Sequence, residues 1–373
     1  MRDVLAERLL AKVMHWTQED VARERSEIQA LAAFKYDEYQ QFFPGMRFIE
    51  SLACWLSQLQ TDEDRACAYE FVRSRLVFIS FAEIAHLVSI SYPDVIRPFL
   101  LQKAAPLVGV QPWLVNTIAN NPQFSALLRQ CLFLGLSDGA HTDIFRRANP
   151  HISNEQVFQT YEIYKGKTEK ILYNLASDLE IRLGSAVPEG MKRFRLLFLM
   201  DDFSGSGISY LRKESNDYDG KILRVIKQII TPSEALNDLV DVNDVQVCLI
   251  LYIATEQALS QIQESTEQWL TENKCNVKFT ILPVQVITEA VRLHPATDKE
   301  VTEVLRRHFD SSIIDKHYRK GRHEQPHLGF DECALPLILS HNTPNNSVPL
   351  LWFEEHRQYR GLFPRVSRHK GEA

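Results

Sequence analysis

The sequence predicts an α/β fold in which a parallel-sheet domain follows an all-α region. Apolar residues recur at helical spacing over residues 1–125, which predicts helices there. Farther along, short apolar runs alternate with helical segments, as in parallel sheets with right-handed crossovers. We therefore predict a helical region over residues 1–125, an α/β domain over 126–355 and a basic tail over 356–373.

Composition indicates an ordinary globular protein. The 373 residues are 45% hydrophobic and carry a net charge of −6. This charge argues against a surface that coats nucleic acid, although a local basic patch stays compatible with it. No apolar window is long enough for a membrane helix, and the first residues lack a secretory apolar core. We expect a cytoplasmic protein without a membrane partner.

The helical region ends in a segment that has two interpretations. Ser80 and Glu83 have the spacing of a capping box, which predicts a helix start. Residues 79–100 also faintly resemble a helix-turn-helix, which would bind nucleic acid. Pro93 lies inside the would-be recognition helix, and few basic residues accompany it, so packing onto the rest of the protein is the favoured interpretation.

The α/β part is predicted to hold five strands joined mostly by helices. The predicted strands are Cys131 to Leu136, Arg195 to Met200, Val245 to Ile253, Val277 to Val284 and Ala334 to Leu339. The predicted helices are Asn154 to Arg182, Lys221 to Ile230, Glu256 to Glu272 and Lys299 to Phe309. Five strands with interleaved helices are enough for a parallel sheet that is covered on both faces.

The second predicted strand leads into the most informative stretch. Its apolar run lacks polar alternation, which is typical of a buried parallel strand, and two carboxylates, Asp201 and Asp202, follow directly. Open α/β sheets bind ligands at the carboxyl ends of their strands. Beyond the acids lie four small residues, Ser204, Gly205, Ser206 and Gly207. Their backbone can turn tightly and aim several N–H groups at one anion near the start of the next helix.

This stretch, from Leu196 to Ser209, resembles the phosphoribosyl pyrophosphate motif of type I phosphoribosyltransferases. The resemblance implies that Asp201 and Asp202 hold the ribose hydroxyls. It also implies that the 5′-phosphate is bound by Ser204, Gly205, Ser206, Gly207 and Ser209. One departure is Gly205-Ser206-Gly207, where the family usually has Thr-Thr-Gly or Thr-Ala-Gly; Ser206 keeps a hydroxyl donor. The structural alternative is a strand followed by a polar turn.

A second polar loop follows the first predicted strand. It contains Ser137, Asp138 and Gly139, and Arg146 and Arg147 come shortly after. In phosphoribosyltransferases the corresponding loop approaches the diphosphate leaving group, so the resemblance implies that these residues bind the diphosphate. We expect Mg²⁺ as cofactor, held by Asp201 and Asp202. Arginine suits phosphate because its planar fork binds two oxygens at once. In the alternative, the arginines pair with neighbouring acids.

Residues 210–220 resemble a mobile flap.

An amide-rich turn near the C-terminus is a candidate for recognising a nucleobase. Asn342, Asn345 and Asn346 offer donors and acceptors, and Trp352 offers a stacking face. The alternative is a turn that caps the sheet, with Trp352 in the core.

Several stretches together resemble the phosphoribosyltransferase-like proteins of bacterial conflict systems. They are Phe34 to Tyr39, Pro44 to Glu50, Asp138 to Ala140, Asp201 to Gly207 and His341 to Asn346. The resemblance implies an effector of anti-phage defence that binds phosphoribosyl pyrophosphate (PRPP) or a nucleotide and acts at ribose C1. It also implies a partner such as a retron reverse transcriptase complex. Two alternatives are a catalytically inactive module that senses a nucleotide or binds a partner, and a glycosidase with water as acceptor.

Overall fold

The computed structural model describes residues 3–214, 217–354 and 357–366. Its strands are β1 Val77–Ile79, β2 Cys131–Gly135, β3 Val157–Gln159, β4 Leu196–Ser204, β5 Arg212–Glu214, β6 Asp217–Asp219, β7 Gln246–Thr255, β8 Lys278–Ile287 and β9 Leu337–Leu339. Its α-helices are α1 Asp3–Val13, α2 Gln18–Phe34, α3 Phe48–Ser57, α4 Asp62–Ser74, α5 Phe81–Ile90, α6 Arg97–Val108, α7 Val115–Ala119, α8 Pro122–Arg129, α9 Thr142–Ala148, α10 Lys165–Leu183, α11 Lys221–Ile230, α12 Ala235–Leu239, α13 Glu256–Glu272 and α14 Lys299–Arg307.

The described residues group into two compact units. The first takes its residues from Met1–Glu83 and Thr288–Ala373, and the second is Ile84–Ile287. The first unit thus combines the N-terminal helices α1 to α4 with the C-terminal part of the chain. The unit boundaries lie after Glu83 and after Ile287. The sequence predicts domain boundaries at 125/126 and 355/356, and these stay predictions.

The second unit is built on a five-stranded parallel sheet with the order β3-β2-β4-β7-β8. The central strands β2 and β7 are buried along their whole length, which explains their apolar runs. On one face Leu197 and Leu199 belong to a core with residues of α10, α11 and α13. On the other face the Phe198 ring stacks on Phe133 at 5.1 Å. The predicted α/β class with a parallel sheet is confirmed.

Two predicted elements of the sheet were wrong. The predicted strand Ala334 to Leu339 is reduced to β9, which pairs with β1 in a separate two-stranded parallel sheet of the first unit. The fifth strand of the main sheet is β3, inside the predicted helix Asn154 to Arg182. Residues 157–161 are Val-Phe-Gln-Thr-Tyr, a β-branched and aromatic run that favours a strand over a helix. The helix itself, α10, begins only at Lys165.

The segment compared with a helix-turn-helix has no turn. Residues 81–108 form one helical run in which α5 passes through π-helical Ser91–Ile96 into α6. Pro93 lacks the N–H that an α-helical turn needs, and a π-helical register accommodates it without a break. The predicted capping box is confirmed, since the Glu83 amide donates to Ser80 Oγ at 3.2 Å and the Ser80 amide donates to Glu83 at 2.8 Å.

Within the described ranges, no helix is both long and apolar enough to cross a membrane. All six cysteines are free thiols, and Cys131, Cys248 and Cys333 are buried, as expected from their apolar surroundings.

Candidate functional site

The acidic pair lies within strand β4, not beyond its end as predicted. β4 extends to Ser204, and Asp201 pairs in register with Leu251 of β7. Successive strand residues point to opposite faces of a sheet. Asp201 therefore lies on the face of Leu197 and Leu199, while Asp202 lies on the opposite face. This alternation gives the two carboxylates different surroundings: Asp201 is fully buried, and Asp202 is partly exposed.

Asp201 is held by three side chains from different elements. Its Oδ1 accepts a hydrogen bond from Ser137 Oγ, in the loop after β2. Its Oδ2 accepts from Tyr210 OH at 2.7 Å and from the ammonium of Lys221, the first residue of α11. Burial raises the pKa of Asp201, the Lys221 charge lowers it, and the Asp202 charge raises it; the net direction is upward. Both oxygens of this carboxylate are thus engaged inside the protein.

Asp202 packs against the loop that follows β2. A Cβ atom on Gly139 would lie 2.4 Å from Asp202 Oδ2, so only glycine allows this approach. Asp202 Oδ1 also accepts a hydrogen bond from the Phe203 amide at 2.9 Å. The loop after β2 therefore contacts the acidic pair of β4, through Ser137 with Asp201 and Gly139 with Asp202.

The small-residue loop after β4 is anchored to the start of α13. Thr255 Oγ1 donates to the Gly205 carbonyl at 2.6 Å. Gly207 has a φ of +79°, and a Cβ there would lie 2.8 Å from the Ala258 carbonyl. Ser204 and Ser206 are buried, and Ser209 is exposed.

The backbone amides of this loop are the next feature of the site. Within the described chain, the N–H groups of residues 206–209 donate no hydrogen bond to a protein acceptor. Consecutive N–H groups without acceptors, in a turn that includes a left-handed glycine, form a concave anion site. An anion bound here would accept hydrogen bonds from these amides.

A two-stranded hairpin separates the small-residue loop from the predicted helix Lys221 to Ile230. A β-hairpin of β5 and β6 comes first, and α11 begins at Lys221. The fold nevertheless returns α11 to the loop, because the Lys221 amide donates to the Ser209 carbonyl at 3.1 Å. The hairpin lies within residues 210–220, the predicted flap, of which 215 and 216 lie outside the described residues; a flap role stays a prediction. Its Arg212 pairs with Glu214 and Asp219.

The candidate diphosphate residues are only partly gathered at this edge. Asp138 and Gly139 belong to a 3-10 turn that starts at Ser137. Arg146 and Arg147 lie in the last turn of the short helix α9, where both are exposed. Arg147 pairs with Asp143, as the surface alternative expects. A role for either arginine in binding diphosphate stays a prediction.

The predicted base-recognition residues lie in the first unit. Asn346 is buried and its Nδ2 donates to the Phe330 carbonyl at 3.3 Å, while the Asn345 carbonyl accepts from the Phe330 amide. Trp352 is 6% exposed and its Nε1 donates to the Ser347 carbonyl at 2.7 Å. Asn342 Oδ1 is buried without a hydrogen-bond partner among the described residues. These contacts are those of a structural turn, and base recognition stays a prediction.

Sequence reasoning missed three residues of the site. Lys221 and Tyr210 both contact Asp201, and Tyr252 of β7 donates from its hydroxyl to the Ala140 carbonyl at 2.7 Å. Burial raises the pKa of Tyr252, so its hydroxyl stays protonated and can donate. A lysine at the first position of a helix and a tyrosine in an apolar strand carry no local signal, because their partners are distant in sequence.

Asp201 does not fit the predicted role of a direct magnesium ligand. Its Oδ2 already faces the Lys221 ammonium, which would repel a divalent cation. Over the described residues there is also no group of three or more His, Cys, Asp or Glu side chains that could hold a metal ion. Mg²⁺ commonly binds proteins through one or two carboxylates and the phosphates of a substrate. Magnesium therefore stays a prediction, as the counter-ion of a bound diphosphate.

The parallel sheet, the acidic pair at the end of β4 and the loop of unpaired amides define a phosphoribosyltransferase-like α/β protein. The model of the PRTase-CE family matches residues 52–365, and the chain belongs to this family. No curated protein and no solved structure matches the chain.

Proposed function

We propose that this protein binds PRPP or a nucleotide at the carboxyl edge of β2 and β4 and acts at ribose C1. The observation that carries the proposal is the set of amide N–H groups of residues 206–209, which lack acceptors in the described chain beside a partly exposed carboxylate. A 5′-phosphate would supply oxygen acceptors to these amides. The carboxylate of Asp202 can accept from ribose hydroxyls, and the amides of residues 206–209 can donate to the phosphate.

In this proposal the two acids have different roles. Asp202 accepts from the ribose hydroxyls, because its carboxylate is the exposed one of the pair. Asp201 is a positioning residue: its oxygens hold Ser137, Tyr210 and Lys221, and so fix both loops around Asp202. The predicted pair of ribose ligands thus becomes one ligand and one support.

Chemistry at this site would be a displacement at C1. The bond from C1 to the diphosphate oxygen breaks, its electron pair leaves with the diphosphate, and C1 forms a bond to the acceptor. Protein groups act by positioning and by stabilising charge. The loop at residues 137–140 lies beside Asp202 and would contact the leaving group, which enters with its own magnesium. We derive no step through a metal held by the protein.

The test is turnover of labelled PRPP with magnesium and a panel of bases and nucleotides, with release of diphosphate and of ribose 5-phosphate measured separately. Asp202→Asn keeps the size of the side chain and removes its charge, and we expect it to abolish turnover. The matched control is Asp238→Asn, a partly exposed aspartate of α12 that forms no ion pair with a described residue. Turnover unchanged by Asp202→Asn would overturn the assignment.

A second candidate is a binding module without catalysis. It is favoured by the engagement of both Asp201 oxygens, which leaves a single carboxylate for the ribose. PRPP or nucleotide binding that depends on Asp202, without any product, would support the module over the enzyme.

We further propose that the protein is an effector of bacterial defence with a protein partner such as a reverse transcriptase complex. The support is the resemblance of its sequence to phosphoribosyltransferase-like proteins of conflict systems. A plaque assay in cells that carry the gene with its neighbours tests this role. Protection that survives Asp202→Asn would separate defence from the ribose site.

A further inference from the structure

The second unit contains a cavity that the proposed ribose site does not use. Its volume is about 470 Å³, within the range of small-molecule sites. Residues from the helical run α5 to α6, from the end of α7, from α8 and from the end of α9 line it. They include Tyr92, Arg97, Phe124, Ala148, Asn149 and His151.

The walls of this cavity combine apolar surface with positive charge. Tyr92 and Phe124 are buried aromatic residues, and the His151 ring lies 4.7 Å from the Tyr92 ring. The Arg97 guanidinium makes no ion pair or hydrogen bond with any described residue, although Asp94 lies only three positions earlier in the chain. Partial burial lowers the pKa of His151, and the nearby charge of Arg97 lowers it further. Arg97 and His151 thus lie close together without an acid between them.

The backbone at this cavity is unusual as well. Ser91–Ile96 form a π-helical segment between α5 and α6, and π-helical turns occur often at functional sites. Ser91 Oγ donates to the Val88 carbonyl at 2.7 Å, which satisfies one acceptor in the altered register. Tyr92 and Pro93 belong to this π-helical segment, and both form part of the cavity wall.

We propose that this cavity is a second ligand site, which binds a small organic anion with an aromatic body and a phosphate or carboxylate group. Arg97 binds the anionic group, since its planar fork matches two oxygens and it has no acid partner of its own. Tyr92 and Phe124 pack against the aromatic body. The polar side chain of Asn149 lies in the same wall.

The position of the cavity connects it to the ribose site through one short helix. Ala148 and Asn149 are at the end of α9, and the Asn149 amide donates to the Phe145 carbonyl at 3.1 Å. The start of α9 follows directly on the loop at residues 138–140, where Gly139 contacts Asp202. One helix of seven residues thus separates the wall of the cavity from the loop that contacts Asp202.

Binding of phenyl phosphate to the full chain, measured by isothermal titration calorimetry, tests the proposal. Inorganic phosphate and phenol represent the anionic and the aromatic half of the probe, and we expect each to bind more weakly than phenyl phosphate. Arg97→Gln removes the charge and should weaken binding about tenfold or more, the effect of losing a charged hydrogen bond. Ala148→Phe fills the cavity from an exposed position and leaves Arg97 in place. It should abolish binding.

The matched control is Arg224→Gln, which removes an exposed arginine of α11 that forms no ion pair with a described residue. We expect it to bind phenyl phosphate like the wild type. Circular dichroism establishes whether each variant is folded. If Arg97→Gln does not fold, the binding measured for Ala148→Phe decides the test. Absence of phenyl phosphate binding at millimolar concentration would overturn the proposal. Binding that neither Arg97→Gln nor Ala148→Phe weakens would overturn it too, because the anion would then occupy another site such as the loop at residues 206–209.

Discussion

The ammonium of Lys221 pairs with the fully buried carboxylate of Asp201. This contact joins the first residue of α11 to β4, the strand that carries the acidic pair. Removing one partner of a buried ion pair leaves the other charge uncompensated. We therefore expect Lys221→Met to lower the free energy of unfolding by about 3 kcal/mol at neutral pH, the size seen when a buried pair is broken. Urea unfolding measures it. Lys227→Met, on an exposed turn of the same helix, is the control and should change little.

The same contact predicts a pH dependence. Burial raises the pKa of Asp201 above its ordinary value of 3.8, and Lys221 opposes this rise, so Lys221→Met should raise it further. A raised folded-state pKa means that stability is fully present at acidic pH, where the group is protonated, and is lost as the pH rises through that pKa. The difference in unfolding free energy between wild type and Lys221→Met should therefore be small below pH 3.8 and grow toward neutral pH. A difference that stays constant across this range would contradict an ionised Asp201 held by Lys221.

Gly139 determines how closely the loop after β2 approaches Asp202 of β4. A Cβ at this position would lie 2.4 Å from Asp202 Oδ2, so Gly139→Ala must displace either the carboxylate or the loop. We expect it to weaken PRPP binding more than tenfold and to cost about 1–3 kcal/mol of stability, as overpacking does. Titration calorimetry and urea unfolding measure the two effects. Gly190→Ala is the control, because a Cβ there meets nothing within 4 Å.

Gly207 combines a left-handed backbone with a close contact, and a second glycine separates the two effects. Gly207 has a φ of +79° and Gly184 a φ of +68°, but only at Gly207 would a Cβ meet a neighbour, the Ala258 carbonyl at 2.8 Å. Gly184→Ala should cost about 1 kcal/mol, the strain of a left-handed alanine. Gly207→Ala should cost more and should also weaken PRPP binding. Equal losses of stability, with PRPP binding unchanged, would show that the loop is not held against α13.

Tyr252 of β7 supports the loop after β2 through a hydrogen bond. Its hydroxyl donates to the Ala140 carbonyl at 2.7 Å, and both residues are fully buried. Tyr252→Phe leaves that carbonyl unpaired, so we expect a loss of about 1–3 kcal/mol in thermal or urea unfolding. Tyr173→Phe, at a site 75% exposed, is the control and should be neutral. A loss of PRPP affinity in Tyr252→Phe alone would link the loop to the ligand.

Long apolar runs made much of the fold predictable. β4 and β7 are buried over at least five consecutive apolar residues, and α11 and α13 have the bounds that their periodicity predicts. Three-residue strands such as β1, β3 and β9 carry no such pattern. Their pairing depends on distant partners, so β9 was placed in the wrong sheet and β3 in a helix.

The candidate site was predictable in composition but not in arrangement. The motif from Leu196 to Ser209 identified the acidic pair and the loop. Strand alternation turns Asp201 inward because β4 continues through both acids, past the predicted strand end at Met200. Lys221 is separated from Asp201 by a hairpin, and Tyr252 lies on another strand, so the side chains that complete the site are brought together only by folding.

A crystal structure of the protein with PRPP and magnesium tests the central claim most directly. We expect the 5′-phosphate against the amides of residues 206–209 and the ribose hydroxyls at Asp202, with Asp201 still bound to Tyr210. Density for the ligand away from this loop, or a ribose held by Asp201 with Asp202 unoccupied, would contradict it.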